Sequence, residues 1–463
     1  MRSAKYVDMC SGPVLRKMIV FTLPIMFSGL FQLLFNATDI IVVGRFAGDN
    51  ALAAVGSNTA LINLMTNLFI GISIGANVVA ARYCGAKNYS ELNRTVHTSM
   101  LLSVISGFLL MAAGLLFAEQ ILGLMSTPES ILGMASDYLR LYFCGMPFMM
   151  IYNFGNALLR AAGDTRRPLI YLICGGVVNV LLDLLFVIAL DMSAAGVGLA
   201  TAISQGGSAA LMVRCLMREK DENGLKLRLK NLRIHKDKLL MILKIGLPAG
   251  FQGTVFSLSN VVIQSSINLF GEAVIAGNSA SIEGFVYMAM NSCYQSTLSF
   301  TSANIGAGKY ERINKILRCG LLCVVAVWAI LGLGVAMTFS RPLLSIYTSG
   351  DEAINAGVHR MMYVCGTYFL CGIMDVMVGS LRGMGYSVTP MIVSLLGACG
   401  LRLVWLGTVF QMEQFHTPDT VYLSYPVSWV ITVAAHVICF FICRRRLKKK
   451  VQLRKTESVP EAR

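Results

Sequence analysis

The long apolar runs of this sequence contain few polar side chains, and those in the N-terminal half follow helical spacing. Gln32, Asn36 and Asp39 are separated by four and three residues, and Asn179 precedes Asp183 by four. In an α-helix such intervals bring side chains to one face. Carboxylate and amide oxygens are suited to a small, hard cation, and two neighbouring carboxylates in an apolar medium share a proton. The spacing therefore indicates reversible binding of a proton or a small cation.

The two acids and Thr201 are expected at one depth in the membrane. The apolar runs that contain Asp39 and Asp183 end near Gly44 and Leu190, and the run that contains Thr201 begins near Gly196. If these runs are membrane helices, each side chain lies about 8–10 Å from the same membrane surface, at 1.5 Å rise per residue. Two carboxylates, an amide and a hydroxyl can then converge on one ion. The alternative is that each polar group caps its own helix or bonds a neighbouring one.

The C-terminal half carries three ionisable side chains within its apolar runs, namely Glu283, Asp375 and Arg402. Glu283 could attract a cationic substrate or form a bond within its own half. Asp375 and Arg402 lie on adjacent predicted helices at comparable depth, and we expect them to form a structural ion pair. Such charged groups in membrane spans are costly unless they are paired or functional.

An adaptable apolar pocket is a further expectation. Methionine thioethers are flexible and polarisable, which suits the binding of varied ligands, although methionines more often serve as packing. The candidate side chains for a substrate cavity are Gln32, Asn153, Met150, Glu283 and Met288.

The composition indicates that membrane-spanning helices position these residues. The 463 residues are 56% hydrophobic and 14% charged, with a mean hydropathy of +0.66, whereas soluble domains carry about 25% charged residues. Thirteen cysteines occur singly and give no disulfide framework. The pattern predicts an all-α integral membrane protein with twelve spans, at roughly 17–43, 52–80, 95–118, 138–159, 169–190, 197–217, 245–269, 275–302, 318–339, 361–381, 391–411 and 423–443.

The net charge of +15 has an uneven distribution. Of the 39 Lys and Arg residues, 34 lie in the two termini and in alternate connecting segments, so the positive-inside rule predicts that both termini are cytoplasmic. Basic runs such as Arg444–Arg446 lack the interleaved aromatic residues of a nucleic-acid site. We expect them to contact anionic membrane lipids, and we expect no nucleic-acid partner.

Three motifs recur at nearly one offset. Gly85-Ala86, Leu159-Arg160 and Leu23-Pro24 return 221, 222 and 224 residues later, which is typical of a duplicated unit. The repeats are parallel and predict two six-helix lobes related by a pseudo-twofold axis along the membrane normal. The predicted parts are an N-terminal lobe at 1–217, a basic linker at 218–244, a C-terminal lobe at 245–445 and a basic tail at 446–463. The second lobe lacks the acid set, because Ile263, Leu401 and Trp405 stand at the positions of Asp39, Asn179 and Asp183.

The chain resembles the MATE (multidrug and toxic compound extrusion) transporters of the prokaryotic DinF-like branch over nearly all of residues 10–445. The resemblance is carried by Leu23-Pro24, Asn36-x-x-Asp39 with Gly44-Arg45, Gly85-Ala86, the loop with Arg160, Gly163-Asp164 and Pro168, and Asn179-x-x-x-Asp183 with Thr201. It implies twelve helices in two lobes and drug export against a proton or sodium gradient. It also implies a cation site at Asp39, Asn179, Asp183 and Thr201. Another branch places an acid in helix 7, and here Phe251–Asn260 has none.

The predicted function is therefore cation-coupled multidrug efflux from the plasma membrane of a prokaryote, by alternating access. We favour protons, with sodium at the same four side chains as the rival. The expected partners are small organic cations and drugs, together with lipids, and the expected state is a monomer without a cofactor. Gly306-Ala-Gly-Lys309 lacks the first glycine and the Ser/Thr of a phosphate loop, and no enzyme motif is present. The alternatives are a flippase for lipid-linked precursors, which would need a more cationic cavity, and a channel or intramembrane enzyme.

Overall fold

The computed structural model of the protein describes residues 6–125, 127–279, 282–346 and 350–457, and the described residues contain no β-strand. They form twelve helical passes, of which nine are single helices long and apolar enough to cross a membrane. The first six are Val14–Phe46, Asp49–Gly85, Tyr89–Leu124, Glu129–Cys144 with Met146–Ala161, Arg166–Asp183 with the π-helix Leu184–Ala189, and Ser193–Met217. We number the passes helix 1 to helix 12.

The second six passes follow in the same order. They are Lys236–Ile267, Glu272–Ser279 with Glu283–Gly306, Arg312–Val327 with the π-helix Trp328–Met337, Asp351–Val364 with Tyr368–Met384, Val388–Ser394 with Leu395–Gly400 and Leu401–Gly407, and Pro418–Glu457. The two parts of helix 10 meet at an angle of 47°. The chain is thus an all-α membrane protein of two six-helix lobes.

The helices extend beyond the apolar runs that predict them. Helix 7 begins at Lys236, inside the segment predicted as a linker, and helix 12 continues to Glu457, inside the predicted tail. Apolar composition reports where the chain crosses hydrocarbon. A helix need not end at the edge of the hydrocarbon region, since its backbone hydrogen bonds also form in the headgroup region and in water.

The two lobes meet chiefly through helices 2 and 7. Gly71 and Gly75 face Gly246 and Gly250, and a Cβ at Gly71 would overlap the backbone of Gly250. Each helix thus contributes a pair of glycines four residues apart, the pattern that lets membrane helices approach backbone to backbone. The glycines fix the closest approach of the lobes.

The repeat is visible in the packing between the lobes. A Cβ at Gly85 would overlap Ala303, and a Cβ at Gly306 would overlap Arg82. Since Arg82 and Ala303 are themselves equivalent positions of the repeat, the same contact is made twice around a pseudo-twofold axis.

The lobes touch near the end of the molecule that carries the basic loops. There Thr22 Oγ1 lies 2.7 Å from Ser296 Oγ, and Ser299 Oγ donates to Asn77 Oδ1 over 3.0 Å. By contrast, nothing lies within 4 Å of a Cβ placed on Gly56, in the opposite half of helix 2. These inter-lobe contacts lie toward the basic end of the molecule, and we infer a cleft between the lobes toward the opposite end.

Candidate functional site

Two acids from different helices of the N-terminal lobe meet in the structure. Asp39 lies seven residues before the end of helix 1, and Asp183 is the last α-helical residue of helix 5, directly before a π-helical segment. Such segments widen a helix and are frequent at functional sites. The two carboxyl groups lie close enough to interact electrostatically. Asp183 is fully buried, and both of its oxygens and Oδ1 of Asp39 find no donor in the protein.

The Asn179 and Thr201 side chains each contain a buried polar atom. Asn179 is 6% exposed, and its Nδ2 has no hydrogen-bond partner. The Thr201 hydroxyl, on helix 6, is buried and also without a partner. A buried polar group without a partner costs about 1–3 kcal/mol. Asp39, Asp183, Asn179 and Thr201 each have at least one atom with this deficit.

The chemistry of these donors fits a single small cation or a proton. The set offers two carboxylates, a hydroxyl and an amide, which are hard ligands. Among the described residues, no group of three or more His, Cys, Asp or Glu side chains is arranged to hold a metal ion. One monovalent ion could bind between the two acids, and a shared proton would satisfy both carboxyl groups at once.

Two tyrosines near the acids were not singled out from the sequence. Tyr138 and Tyr142 of helix 4 are both within electrostatic range of Asp39, and Tyr138 is 7% exposed. A Cβ on Gly198 of helix 6 would lie 2.9 Å from the Tyr138 carbonyl oxygen. Their spacing of four residues, at the depth predicted for the acids, is the signal that could have identified them.

The remaining predicted site residues of helix 1 lie apart from the buried set. Gln32 and Asn36 are exposed, whereas Asp39 is partly buried. Asn36 lies about one turn from Asp39 on the same face of helix 1. Sharing that face did not give the two side chains the same burial. In the described structure, neither Gln32 nor Asn36 has a side-chain hydrogen bond to the buried acids.

The candidate cavity residues have different surroundings. Met150 is fully buried in the hydrophobic core of the N-terminal lobe, so its assignment to a cavity is wrong. Asn153 is half-buried and donates to the Met149 carbonyl in its own helix over 2.9 Å. Met288 is half-buried against helix 1, where its Cγ would lie 3.3 Å from a Cβ on Gly29.

Glu283 forms a bond within its own lobe. Its Oε1 pairs with Nη1 of Arg360 on helix 10, and both side chains are about nine-tenths buried. Because its charge is neutralised there, Glu283 is not a free acid in the cleft. The structure decides between the two alternatives in favour of the structural one.

The predicted pair of Asp375 with Arg402 is not formed. Arg402 donates from Nε to Ser428 Oγ over 2.9 Å, and its guanidinium carbon lies 4.3 Å from the ring centre of Tyr425 and 5.4 Å from that of Trp429. Asp375 instead lies near Tyr287 of helix 8. In the part of the chain that the structure describes, no basic side chain forms an ion pair with Asp375. Equal depth on adjacent helices did not fix the direction in which either side chain points.

The fold and this site define a two-lobed membrane transporter. The sequence profile of the family described as MatE matches residues 24–185 and 248–406, two stretches that begin at equivalent positions of the internal repeat. The chain belongs to the MATE family of transporters.

Similar proteins span nearly the whole chain. The probable multidrug resistance protein YoeA of Bacillus subtilis is 26% identical over 429 residues, which cover 91% of this chain and 92% of the relative. The multidrug export protein MepA of Staphylococcus aureus is 20% identical, with coverages of 94% and 95%. A structure described as the outward-facing conformation of a multidrug resistance MATE family transporter of the MOP superfamily has a TM-score of 0.87 at 19% identity, with coverages of 97% and 99%. The structural likeness shows that the fold is shared.

Proposed function

We propose that this chain exports amphipathic, often cationic organic compounds, driven by protons that bind at Asp39 and Asp183. The observation that carries the proposal is that the fully buried Asp183 of helix 5 lies beside the partly buried Asp39 of helix 1, and that three of their four carboxyl oxygens have no donor in the protein. The relatives named as multidrug proteins support the substrate class. We place the protein in the plasma membrane of a prokaryote, as a monomer without a cofactor, with both termini in the cytoplasm.

The donor set favours a proton over sodium. One proton held between Asp39 and Asp183 leaves a single negative charge and satisfies an oxygen of each. A sodium ion bound by both carboxylates also leaves one negative charge, and it demands several oxygens at about 2.3–2.5 Å, a range close to that of calcium. Sodium at Asp39, Asn179, Asp183 and Thr201 is the rival.

Alternating access follows from the arrangement of the lobes. In this structure the lobes join at the basic end, so the cleft opens toward the opposite side, which we infer to be external. A further proton would remove the last net charge from the acids and lower the cost of burying them more deeply. Helix 1, which contains Pro24, could then bend and close on the cleft. The released substrate would leave outward.

A flippase for lipid-linked precursors has less support. A diphosphate headgroup needs free cationic donors in the cleft. Arg402 is committed to Ser428 and two aromatic rings, and Arg360 to Glu283. The second lobe thus offers neither of these guanidinium groups to a phosphate.

Proteoliposomes test the proposal. An imposed pH gradient without sodium should drive movement of a fluorescent organic cation, and Asp39→Asn and Asp183→Asn should each abolish it. Asp137→Asn is a matched control, because Asp137 is an exposed acid of the same lobe that makes only a 3.9 Å contact with Arg140. Transport that requires a sodium gradient and ignores pH would overturn the proton assignment. Normal transport by Asp39→Asn would overturn the site.

A further inference from the structure

The segment that precedes helix 1 crosses the basic end of the molecule and contacts both lobes. It comprises residues 6–12, which we call the N-terminal strap. The C-terminal lobe binds it through helices 8 and 9 and the loop between them, and the N-terminal lobe binds it through the loop between helices 4 and 5. The N-terminal strap therefore joins the lobes at the end where the molecule is closed.

The C-terminal lobe binds four consecutive carbonyl groups of the N-terminal strap. The donors are the side chains of Asn304, Lys309 and Arg312, and the acceptors are the carbonyl oxygens of residues 9–12, over distances of 2.8–3.3 Å. Two of these three donors are charged, and charge-assisted hydrogen bonds are stronger than neutral ones. This half of the N-terminal strap is thus held firmly by its backbone.

Apolar packing attaches the same half to the C-terminal lobe. Met9 is 5% exposed and lies in one hydrophobic cluster with Phe300 of helix 8 and Phe21 of helix 1. The ring centres of Phe21 and Phe300 are 5.4 Å apart, with the rings edge to face. The second half of the N-terminal strap and the first turns of helix 1 therefore pack on the C-terminal lobe as one unit.

The N-terminal lobe holds the other end of the N-terminal strap. The Val7 amide donates to the Gly163 carbonyl over 2.9 Å. Gly163 has a φ of +95°, and a Cβ there would overlap the Val7 carbonyl, so glycine is needed for the turn and for the close approach. The Tyr6 hydroxyl donates to Glu219 over 2.6 Å. It accepts a hydrogen bond from Arg167 over 3.1 Å, and Arg167 also pairs with Glu219.

The equivalent position of the second lobe is also a contact between the lobes. Gly385 follows Gly163 by 222 residues, as the repeat requires, and has a φ of +98°. A Cβ on Gly385 would lie against the guanidinium of Arg82 from the N-terminal lobe, whose Nη2 donates to the Gly383 carbonyl over 3.2 Å. The same loop glycine thus receives, in each lobe, a group that is attached to the other lobe.

Opening of the basic end must separate the N-terminal strap from one lobe. Separation from the C-terminal lobe would expose the buried Met9 side chain and break its contact with the apolar cluster. Separation from the N-terminal lobe breaks hydrogen bonds that water can replace. It also leaves Glu219 paired with Arg167, so no buried charge loses its partner.

We propose that the N-terminal strap is a releasable latch. The basic end opens when residues 6 and 7 detach from the N-terminal lobe, while residues 9–12 stay bound to the C-terminal lobe. The proposal rests on the alternating access proposed above and adds the contact whose loss permits opening. Detachment shifts the population from the closed to the open form of this end, and reattachment reverses the shift.

Hydrogen exchange of the full-length protein in lipid nanodiscs tests the attachment to the N-terminal lobe. The Gly163 carbonyl protects the Val7 amide, so the exchange rate of that amide reports detachment. Gly163→Ala should raise the rate about tenfold or more, because the added methyl group collides with the Val7 carbonyl. Gly271→Ala is the matched control, since Gly271 has a φ of +88° but nothing within 4 Å of a Cβ. That variant should leave the Val7 rate within about twofold of the original.

Distances between spin labels show whether the basic end then opens. The labels are attached to p-acetylphenylalanine at three exposed positions, which are Arg16 at the start of helix 1, Lys220 after helix 6 and Lys315 of helix 9. In Gly163→Ala, the distances from Lys220 to Arg16 and to Lys315 should each gain a longer component. The distance from Arg16 to Lys315 should stay unchanged, because both positions move with the C-terminal lobe.

Three results would contradict the proposal. The first is an unchanged exchange rate of Val7 in Gly163→Ala. The second is faster exchange with unchanged distances, since the end would then stay closed without the attachment. The third is a longer distance from Arg16 to Lys315, which would mean that the N-terminal strap leaves the C-terminal lobe.

A second variant applies if Gly163→Ala does not fold. Tyr6→Phe removes only the hydroxyl that bonds Glu219, and the Val7 amide should then exchange about threefold faster or more. Unchanged exchange in Tyr6→Phe would refute the latch. These measurements need neither substrate nor a pH gradient, so their failure is distinguishable from failure of the proton site at Asp39 and Asp183.

Discussion

Gly71 of helix 2 and Gly250 of helix 7 pack backbone against backbone at the junction of the two lobes, with no room for a side chain at Gly71. Close approach of membrane helices depends on such small residues, since lipid tails compete equally well for apolar side chains. The contact allows the lobes to close the basic end of the cleft. Its removal should therefore affect the assembled molecule more than either lobe alone.

Gly71→Ala should destabilise the closed arrangement. Overpacking a well-fitted contact costs about 1–3 kcal/mol, which exceeds the roughly 1 kcal/mol that alanine gains over glycine as a helix former. The midpoint of thermal unfolding in detergent measures the result. Gly56→Ala is the control on the same helix, because a Cβ there has nothing within 4 Å and should be neutral or slightly stabilising. Equal midpoints for the two variants would contradict the packing argument.

Lys238 of helix 7 links the C-terminal lobe to the N-terminal lobe. Its side chain is 2% exposed, and its ammonium group forms an ion pair with Glu91 of helix 3 and donates to the Tyr83 hydroxyl over 2.7 Å. A double-mutant cycle with Lys238→Met and Glu91→Gln should give a coupling energy of about 1–3 kcal/mol, as for a hydrogen bond to a charged group. Asp237 lies 2.9 Å from the same nitrogen and still pairs with Lys238 when Glu91 is replaced, which limits the loss of stability.

The control for that cycle is an exposed pair in the linker. Arg228 and Asp221 are 2.8 Å apart, and both side chains are more than half exposed. Exposed pairs of this kind contribute little because water and salt screen them. Arg228→Met and Asp221→Asn should show no measurable coupling. If the cycle at Lys238 also gave no coupling energy, this inter-lobe pair would contribute nothing to stability.

The C-terminal lobe offers a direct comparison of a formed and an unformed ion pair. Breaking the buried pair of Glu283 and Arg360 should cost about 3–5 kcal/mol, because either single change leaves an uncompensated charge. The cycle with Glu283→Gln and Arg360→Met should therefore show strong coupling. The cycle with Asp375→Asn and Arg402→Met should be additive within about 0.5 kcal/mol, as expected for residues without a shared contact. A larger coupling energy for Asp375 and Arg402 than for Glu283 and Arg360 would contradict the observed ion pairing.

The convergence of the N-terminal acids could be predicted because two independent quantities constrain it. Helical spacing places Asn179 and Asp183 on one face, and the distance from the helix end places Asp39 and Asp183 at one depth. In a membrane, depth is well determined by the sequence, since each span is bounded by water on both sides.

The sequence by itself determined the class of protein, the twelve passes and the repeat. Only the tertiary structure decided which groups touch, as Arg402 stacking on Tyr425, Glu283 pairing with Arg360 and Met150 packing in the core all show. The physical reason is rotation about the helix axis. These helices are apolar on nearly all sides, so they have no polar face that would indicate their orientation. An apolar side chain is equally stable against lipid and against a neighbouring helix. Orientation is then set by close packing between particular helices, which a single span does not encode.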